Sequence, residues 1–414
     1  MKGISVSRRS LLTAASGAAV SPFVAKPASG KSADHIVVVG AGVFGAWTAH
    51  HLHQAGHRIT LVDAWGAAHS RASSGGESRL SRAAYGKDDI YTRMAVDSLP
   101  QWKALSAVSG LPIFIESGVL FFFAREEPYV RDSIAAHKKF GLPTDVLSQA
   151  EMQRRFPMMD FAGISIGLYE PGFGALMARR SVLTLVDRFV KEGGSYRRGF
   201  VQAPRATGER LDEIVLSSGE HITADRFVFA AGPWLPKLFP DAVGRRIEPT
   251  RQEVFYFGVP SGDSRFLPGT MPSWADFNGG DIFYGFPDLE TRGAKFAHDV
   301  HGVGVDPDTQ SRQPTASALA EIVAYRDRRF PLLRGAPLIG AEVCQYENSS
   351  NGDFMIDLHP RWSNVLLAGG GSGHGFKHGP EVGRYASARL LGLVAPEPRF
   401  SLATKTETHH REVH

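Results

Sequence analysis

Short apolar runs alternate with amphipathic stretches along most of the chain. His35 to Val39 is an apolar run of strand length, and a glycine turn and a helix to about Ala55 follow it. A second strand is predicted from Arg58 to Val62, ending at Asp63, so the chain opens as a βαβ unit. From about Gly118 the texture changes. Val119 to Ala124 and Ile164 to Tyr169 read as strands, Ser181 to Glu192 as a helix, and Phe227 to Ala231 as a buried strand. The stretch Gln252 to Val300 is β-rich and heavy in aromatics, among them Phe255, Tyr256, Phe257, Trp274, Phe283, Tyr284 and Phe286. A last strand, Asn364 to Ala368, runs into glycines and a helix near Glu381 to Leu391. Strand-turn-helix units at both ends around a β-rich middle predict an α/β (α+β) protein of two interleaved domains. The final dozen residues are polar and His-rich and are expected to fray.

The first thirty residues break this pattern. Arg8 and Arg9 stand directly before a mild apolar run, Leu11 to Val20, and small residues and prolines follow. A basic flank, a short apolar stretch and a small-residue end describe an export signal, here of the twin-arginine kind read by the Tat machinery. Ala28-Ser29-Gly30 offers a cleavage site, with Ala25 nearby, and the expected destination is the periplasm. No later segment reaches the ~18 consecutive apolar residues of a membrane span. The signal also changes the charge balance. The chain carries 46 Lys and Arg against 42 Asp and Glu, and residues 1–30 hold four of the basic residues and no acid. Removing them leaves a neutral mature protein, so the basic excess is no argument for a nucleic-acid partner. At 43% apolar and 21% charged the chain is not disordered. One cysteine excludes both a disulfide framework and a Cys-rich zinc site, and the histidines outside the motifs, including His221, His301 and His359, show no metal spacing, so no metal is expected.

Gly40-Ala41-Gly42-Val43-Phe44-Gly45 is a GxGxxG motif directly after a strand and opening a helix. The first glycine permits the turn and the second lets backbone approach a pyrophosphate. The third lets the helix pack close, and the helix N-terminus faces the anion. Asp63, eighteen residues after Gly45, ends the next strand where a carboxylate can accept from ribose hydroxyls. Two further strand-to-glycine turns, Phe227–Trp234 and Asn364–Gly375, imply a long cofactor touching several backbone turns, FAD rather than NAD.

Three further segments fix a resemblance. They are Arg79-Leu80-Ser81-Arg82-Ala83-Ala84-Tyr85-Gly86, then Tyr284-Gly285-Phe286-Pro287 with Lys295 beyond it, and a C-terminal stretch. That stretch holds Cys344, Asp353 to Pro360, and Ser372-Gly373-His374-Gly375-Phe376-Lys377. From about Asp34 to Leu391 the sequence resembles the D-amino-acid-oxidase-type flavoprotein superfamily, in its sarcosine-oxidase and N-methyltryptophan-oxidase branch. The resemblance implies a Rossmann-like FAD domain in three pieces, 31–115, 176–249 and 334–400. It implies a substrate domain in two, 116–175 and 250–333, on a mixed, mostly antiparallel sheet. Residues 1–30 are the signal and 401–414 a polar tail. The implied cofactor-binding positions are Gly40, Gly42, Phe44, Gly45, Asp63, Arg79, Arg82, Val201, Ala231, Gly232, Trp234, Cys344, Gly371, Gly373, His374, Gly375, Phe376 and Lys377.

Roles follow from the same resemblance, and each has a chemical reason. Cys344 implies a thioether to the flavin ring, a bond that suits a nucleophilic thiolate. Lys295 implies a cation that activates oxygen, Arg82 and Lys377 a carboxylate grip, Arg79 a cation close to the flavin ring, and Tyr284 a wall of the substrate face. The implied reaction is oxidation of the C–N bond of a secondary or N-substituted amino acid to an imine, with oxygen reduced to peroxide. The enzyme is expected as a monomer or small homo-oligomer. An exported dehydrogenase passing electrons to a quinone or partner protein, and a non-catalytic flavin-fold binding protein, are the other readings. Three departures stand out. Ser74 and Gly75 replace a histidine pair and are expected to widen the pocket. Asp299 replaces a histidine, with His298 beside it. Tyr346 and Glu347 stand where a threonine is expected after the cysteine.

Overall fold

A computed structural model describes residues 33–278 and 281–409; the arginine pair and the rest of the expected signal lie outside them. Two sheets organise the chain. The first has six strands in the order Met355–Leu358, Val365–Gly369, Arg226–Phe229, His35–Val39, Arg58–Asp63 and Ser195–Arg198. All pairs are parallel except the outermost, Met355–Leu358 against Val365–Gly369. Parallel strands buried on both faces need continuous apolar runs, and Ile36, Val37, Val38, Phe227, Val228, Phe229, Val365 and Leu366 are fully buried.

The second sheet has eight strands: Leu338–Ser349, Ile247–Phe257, Ala294–Asp299, Asp281–Phe286, Ser273–Asn278, Val119–Phe123, Ile166–Glu170 and Asp145–Ser148. Every pairing is antiparallel except Val119–Phe123 with Ser273–Asn278. The expected mixed, mostly antiparallel sheet is therefore present. Its long ladder sets Gln252 opposite Cys344, and Tyr256 is paired with Lys295 on the other side. Because side chains alternate along a strand, Cys344, Tyr346 and Asn348 share one face.

Three helices of twelve residues or more escape the sequence reading: Asp89–Val108, Pro128–Lys139 and Ala316–Arg329. In the first, Tyr91, Met94, Ala95, Ser98, Trp102 and Leu105 are buried at helical spacing, while Pro100 and several small polar residues mask the pattern. Fraying of the last dozen residues is not found over 401–409. Lys405 is buried and donates to the Arg399 carbonyl at 2.6 Å, Thr406 N–H donates to Ser350 Oγ at 2.9 Å, and His409 meets the Arg245 carbonyl.

The helix Val43–Gln54 that follows the glycine turn packs against Gly379–Leu390. Gly383 makes this approach possible, since a Cβ there would stand 2.5 Å from the Trp47 carbonyl carbon. Gly383→Ala should force the two helices apart, costing about 1–3 kcal/mol by overpacking. Differential scanning calorimetry should show a lower Tm, and an unchanged Tm contradicts the reading.

Candidate active site

The glycine turn is built as the motif requires. Gly40 has φ +103°, and a Cβ there would lie 2.3 Å from the Ala230 carbonyl oxygen. A Cβ on Gly45 would lie 1.8 Å from the Gly40 oxygen, so the first turn of the helix can pack on the glycine turn only with glycine there. Gly42 differs, because a Cβ there would meet only Ser74 Oγ, at an ordinary contact distance of 3.5 Å. The Asp63 carboxylate fixes the turn by accepting from the amides of Ala41 (2.8 Å), Trp65 (3.0 Å) and Gly66 (2.9 Å). Gly40, Gly42, Phe44, Asp63, Val201, Ala231, Gly232 and Trp234 line one cavity. Trp65 lines it too, its ring tilted by 49° against that of Trp234 with the centroids 4.7 Å apart.

A second cavity lies between the eight-stranded sheet and the turn at 372–377. It is lined by Arg79, Arg82, Tyr284, Cys344, Gly373, His374, Phe376 and Lys377. The buried Arg82 guanidinium lies 4.0 Å above the Tyr85 ring and donates to the Ala84 carbonyl. Lys377, 4% exposed, donates to Tyr85 Oη at 2.8 Å and to the His374 carbonyl at 2.7 Å. Burial, and then the Arg82 charge, holds its ammonium well below the usual lysine range. Tyr85 in turn meets His378 Nε2 at 2.7 Å. Opposite this wall, Arg79 donates to the carbonyls of Ser78 (2.8 Å) and Ser73 (2.6 Å) and comes 4.0 Å from Cys344 Sγ.

Of the other predicted positions, Lys295, Gly371 and Gly375 lie behind these walls. Lys295 is 2% exposed, its Nζ donating to the Ser78 carbonyl at 3.1 Å, and burial followed by the Arg79 charge lowers its pKa to about 8. Gly371 and Gly375 pack on Phe44, which a Cβ on Gly375 would approach to 2.9 Å. Tyr284 lines the cavity and is hydrogen-bonded to Tyr346, with burial raising its pKa strongly.

Two expectations from the departures need correcting. Ser74 lines the first cavity rather than the second, its Oγ accepting from Val43 N–H at 3.0 Å. Gly75 cannot report a widened pocket either, because a Cβ there would meet the His69 carbonyl oxygen at 2.0 Å. His298 is on the opposite face of its strand, stacked on Phe283 at 4.1 Å and paired with Glu321 at 3.1 Å. Of Ser74, Gly75, His298 and Asp299, only Asp299 lines the second cavity.

A family model described as FAD dependent oxidoreductase (DAO) matches residues 35–389. The chain belongs to this family. Among relatives of this FAD-dependent oxidoreductase is a monomeric sarcosine oxidase of Bacillus sp. (strain B-0618). It is 31% identical over 373 residues, covering 86% of this chain and 92% of the relative. An N-methyl-L-tryptophan oxidase of Citrobacter koseri is 27% identical, covering 89% and 96%. A modified fructosyl peptide oxidase from Aspergillus nidulans shares the fold with a TM-score of 0.79 at 19% identity, over 89% of this chain and 93% of that one.

The oxidoreductase's own residues fit the cofactor. Gly42 leaves the open approach that a diphosphate needs, and the helix N-terminus behind it supplies amides. Glu347 Oε2 is buried in the wall of the first cavity with no hydrogen-bond partner among the described residues, which suits a bound donor. Sequence reasoning missed Gln252, Tyr346 and Asn348 as cavity residues. The signal was available: Tyr346 and Asn348 follow Cys344 at period two, and Gln252 is its cross-strand partner. Gln252 Nε2 donates to the Val300 carbonyl at 2.9 Å and Asn348 Nδ2 to Thr250 Oγ1 at 2.9 Å. Asp299 lines the same cavity, and its carboxylate acts on both Arg82 and Lys377.

Proposed function

We propose that this oxidoreductase is an exported, sarcosine-oxidase-like enzyme acting on a secondary or N-substituted amino acid. One observation carries the reading: two buried cations, Arg82 and Lys377, stand in one cavity with Cys344 and Arg79. The names of the relatives, a sarcosine oxidase and an N-methyl-L-tryptophan oxidase, support the same substrate class. FAD, when bound, accepts two electrons from the C–H bond beside the amine and passes them to oxygen, giving hydrogen peroxide. The substrate loses two electrons and two protons to become an imine, and water then cleaves the C–N bond to an amine and a carbonyl compound.

The protein's part is positioning. Arg82 presents a planar donor fork to the substrate carboxylate, and Lys377 adds a point charge. Tyr85 Oη and the His374 carbonyl hold Lys377 in place, and a bound carboxylate would favour the charged form that burial and Arg82 oppose in its absence. Fixing the carboxylate there sets the amine toward the Arg79–Cys344 side. The surrounding cations and the apolar side chains of Phe121, Val254 and Ile282 favour the neutral amine. Cys344 is the proposed covalent anchor, and Arg79 stands 4.0 Å from its sulfur.

The test is an anaerobic screen of N-methyl, cyclic and ordinary amino acids, reading flavin bleaching, followed by admission of air. Bleaching by N-substituted amino acids and stoichiometric peroxide are expected. No bleaching by any amino acid overturns the function. Bleaching without peroxide, and with transfer to a quinone, assigns a dehydrogenase instead. For export, Arg8→Lys with Arg9→Lys should leave the flavoprotein in the cytoplasm, measured by cell fractionation; unchanged periplasmic yield contradicts a twin-arginine signal.

A further inference from the structure

Glu347 sits where the two cavities meet. Its side chain lines the first, with Gly40, Gly42 and Phe44, while its neighbour Tyr346 lines the second. One end of the carboxyl is held: the amides of Gly370 and Gly371 donate to it. The other oxygen, Oε2, is buried and has no partner among the described residues. It faces small residues, 3.2 Å from where a Cβ on Gly369 would stand and 3.8 Å from one on Gly232. Those glycines keep the oxygen reachable from the cavity. A buried carboxyl with an unmet acceptor is costly, and no neighbouring cation explains it.

The chemistry of FAD says which part of the cofactor can meet this need. The diphosphate offers only acceptors, which cannot satisfy an unmatched acceptor oxygen. The adenosine ribose belongs at Asp63, the end of the first cavity where strand Arg58–Asp63 stops. The flavin ring belongs in the second cavity, beside Cys344 and Arg79. Between them runs a hydroxylated chain, rich in donors, and Glu347 stands between these two ends. We propose that Glu347 holds that chain, Oε2 accepting from one of its hydroxyls while the other oxygen stays on the glycine-turn amides. Burial raises the carboxyl pKa to about 7, so near neutrality the uncharged form is accessible and the nearby diphosphate is not strongly opposed. The proposal rests on the family's dependence on FAD.

The test uses the full chain carrying Cys344→Ala, so that no thioether can form and binding is reversible. It is titrated with FAD and, separately, with ADP, which shares the adenosine and diphosphate but lacks the hydroxylated chain. Adding Glu347→Ala should raise the FAD dissociation constant roughly five- to tenfold, the effect of one lost hydrogen bond, and leave ADP within about twofold. Glu347→Gln keeps an acceptor oxygen at the same reach and should restore most of the FAD affinity. FAD affinity unchanged by Glu347→Ala overturns the proposal. ADP weakened as much as FAD also overturns it, by showing that the residue only shapes the cavity. Retained ADP binding keeps the first cavity as the dinucleotide site however Glu347 behaves.

Discussion

Lys295→Met should slow the oxygen-dependent half of turnover by roughly 10²–10³-fold and leave the substrate-dependent half within a few-fold. Reducing oxygen places negative charge in a site from which water is excluded, and a fixed cation there acts in low dielectric. Lys295 is the candidate because it is 2% exposed, held by the Ser78 carbonyl at 3.1 Å, and next to Arg79. Methionine keeps the length and apolar stem, so the Phe286 and Tyr256 rings, 5.1 and 5.9 Å from Nζ, keep their neighbour. Stopped-flow measurement of each half separately decides the matter; equal slowing of both would falsify an oxygen role.

The same residue sets a pH dependence. Burial first, and the Arg79 charge second, lower its pKa to about 8. The ammonium is present below that pH and lost above it. The oxygen-dependent rate should therefore be flat through neutrality and fall as pH rises through about 8, and the Lys295→Met protein should lack that step. A profile in the variant parallel to the parent's would assign the ionisation to another group.

Much of this site is legible in the sequence, for definite physical reasons. Gly40, Gly42 and Gly45 are constrained by backbone geometry, and such constraints survive as a fixed spacing. The apolar strands around them are buried on both faces, so they read as continuous runs. The helix Asp89–Val108 is less visible because it buries Ser98 and Thr92 along with Tyr91 and Trp102 and carries an internal proline. Ser74, Gly75 and His298 mislead for a different reason. Position along a chain does not say which cavity a loop residue reaches, nor which face of a strand a side chain takes when a neighbour is substituted. Asp299 and His298 are adjacent and so point to opposite faces; only the sheet register tells which one enters the cavity. Glu347 was visible as a departure, but its meaning depends on an unmatched oxygen that only the packed structure reveals.

Arg82→Met should lower kcat/KM for the amino-acid substrate by roughly 30- to several-thousand-fold, the range for removing one partner of a buried, hydrogen-bonded charge pair, about 2–5 kcal/mol. Lys377→Met should cost less, because an ammonium offers one point contact where the guanidinium offers a fork. Two controls separate grip from packing. Arg82→Lys keeps the charge and loses the fork, so it should fall between the parent and Arg82→Met. An amine of the same shape lacking the carboxylate should be oxidised slowly by the parent and little slower by Arg82→Met, collapsing the preference for the acid. The Arg82 contact with the Tyr85 ring at 4.0 Å makes some loss of stability unavoidable, so the preference ratio, rather than the rate alone, is the measurement. A variant that loses activity toward acid and amine in equal proportion assigns Arg82 to the scaffold, whereas a collapsed ratio places the substrate carboxylate against this wall of the cavity.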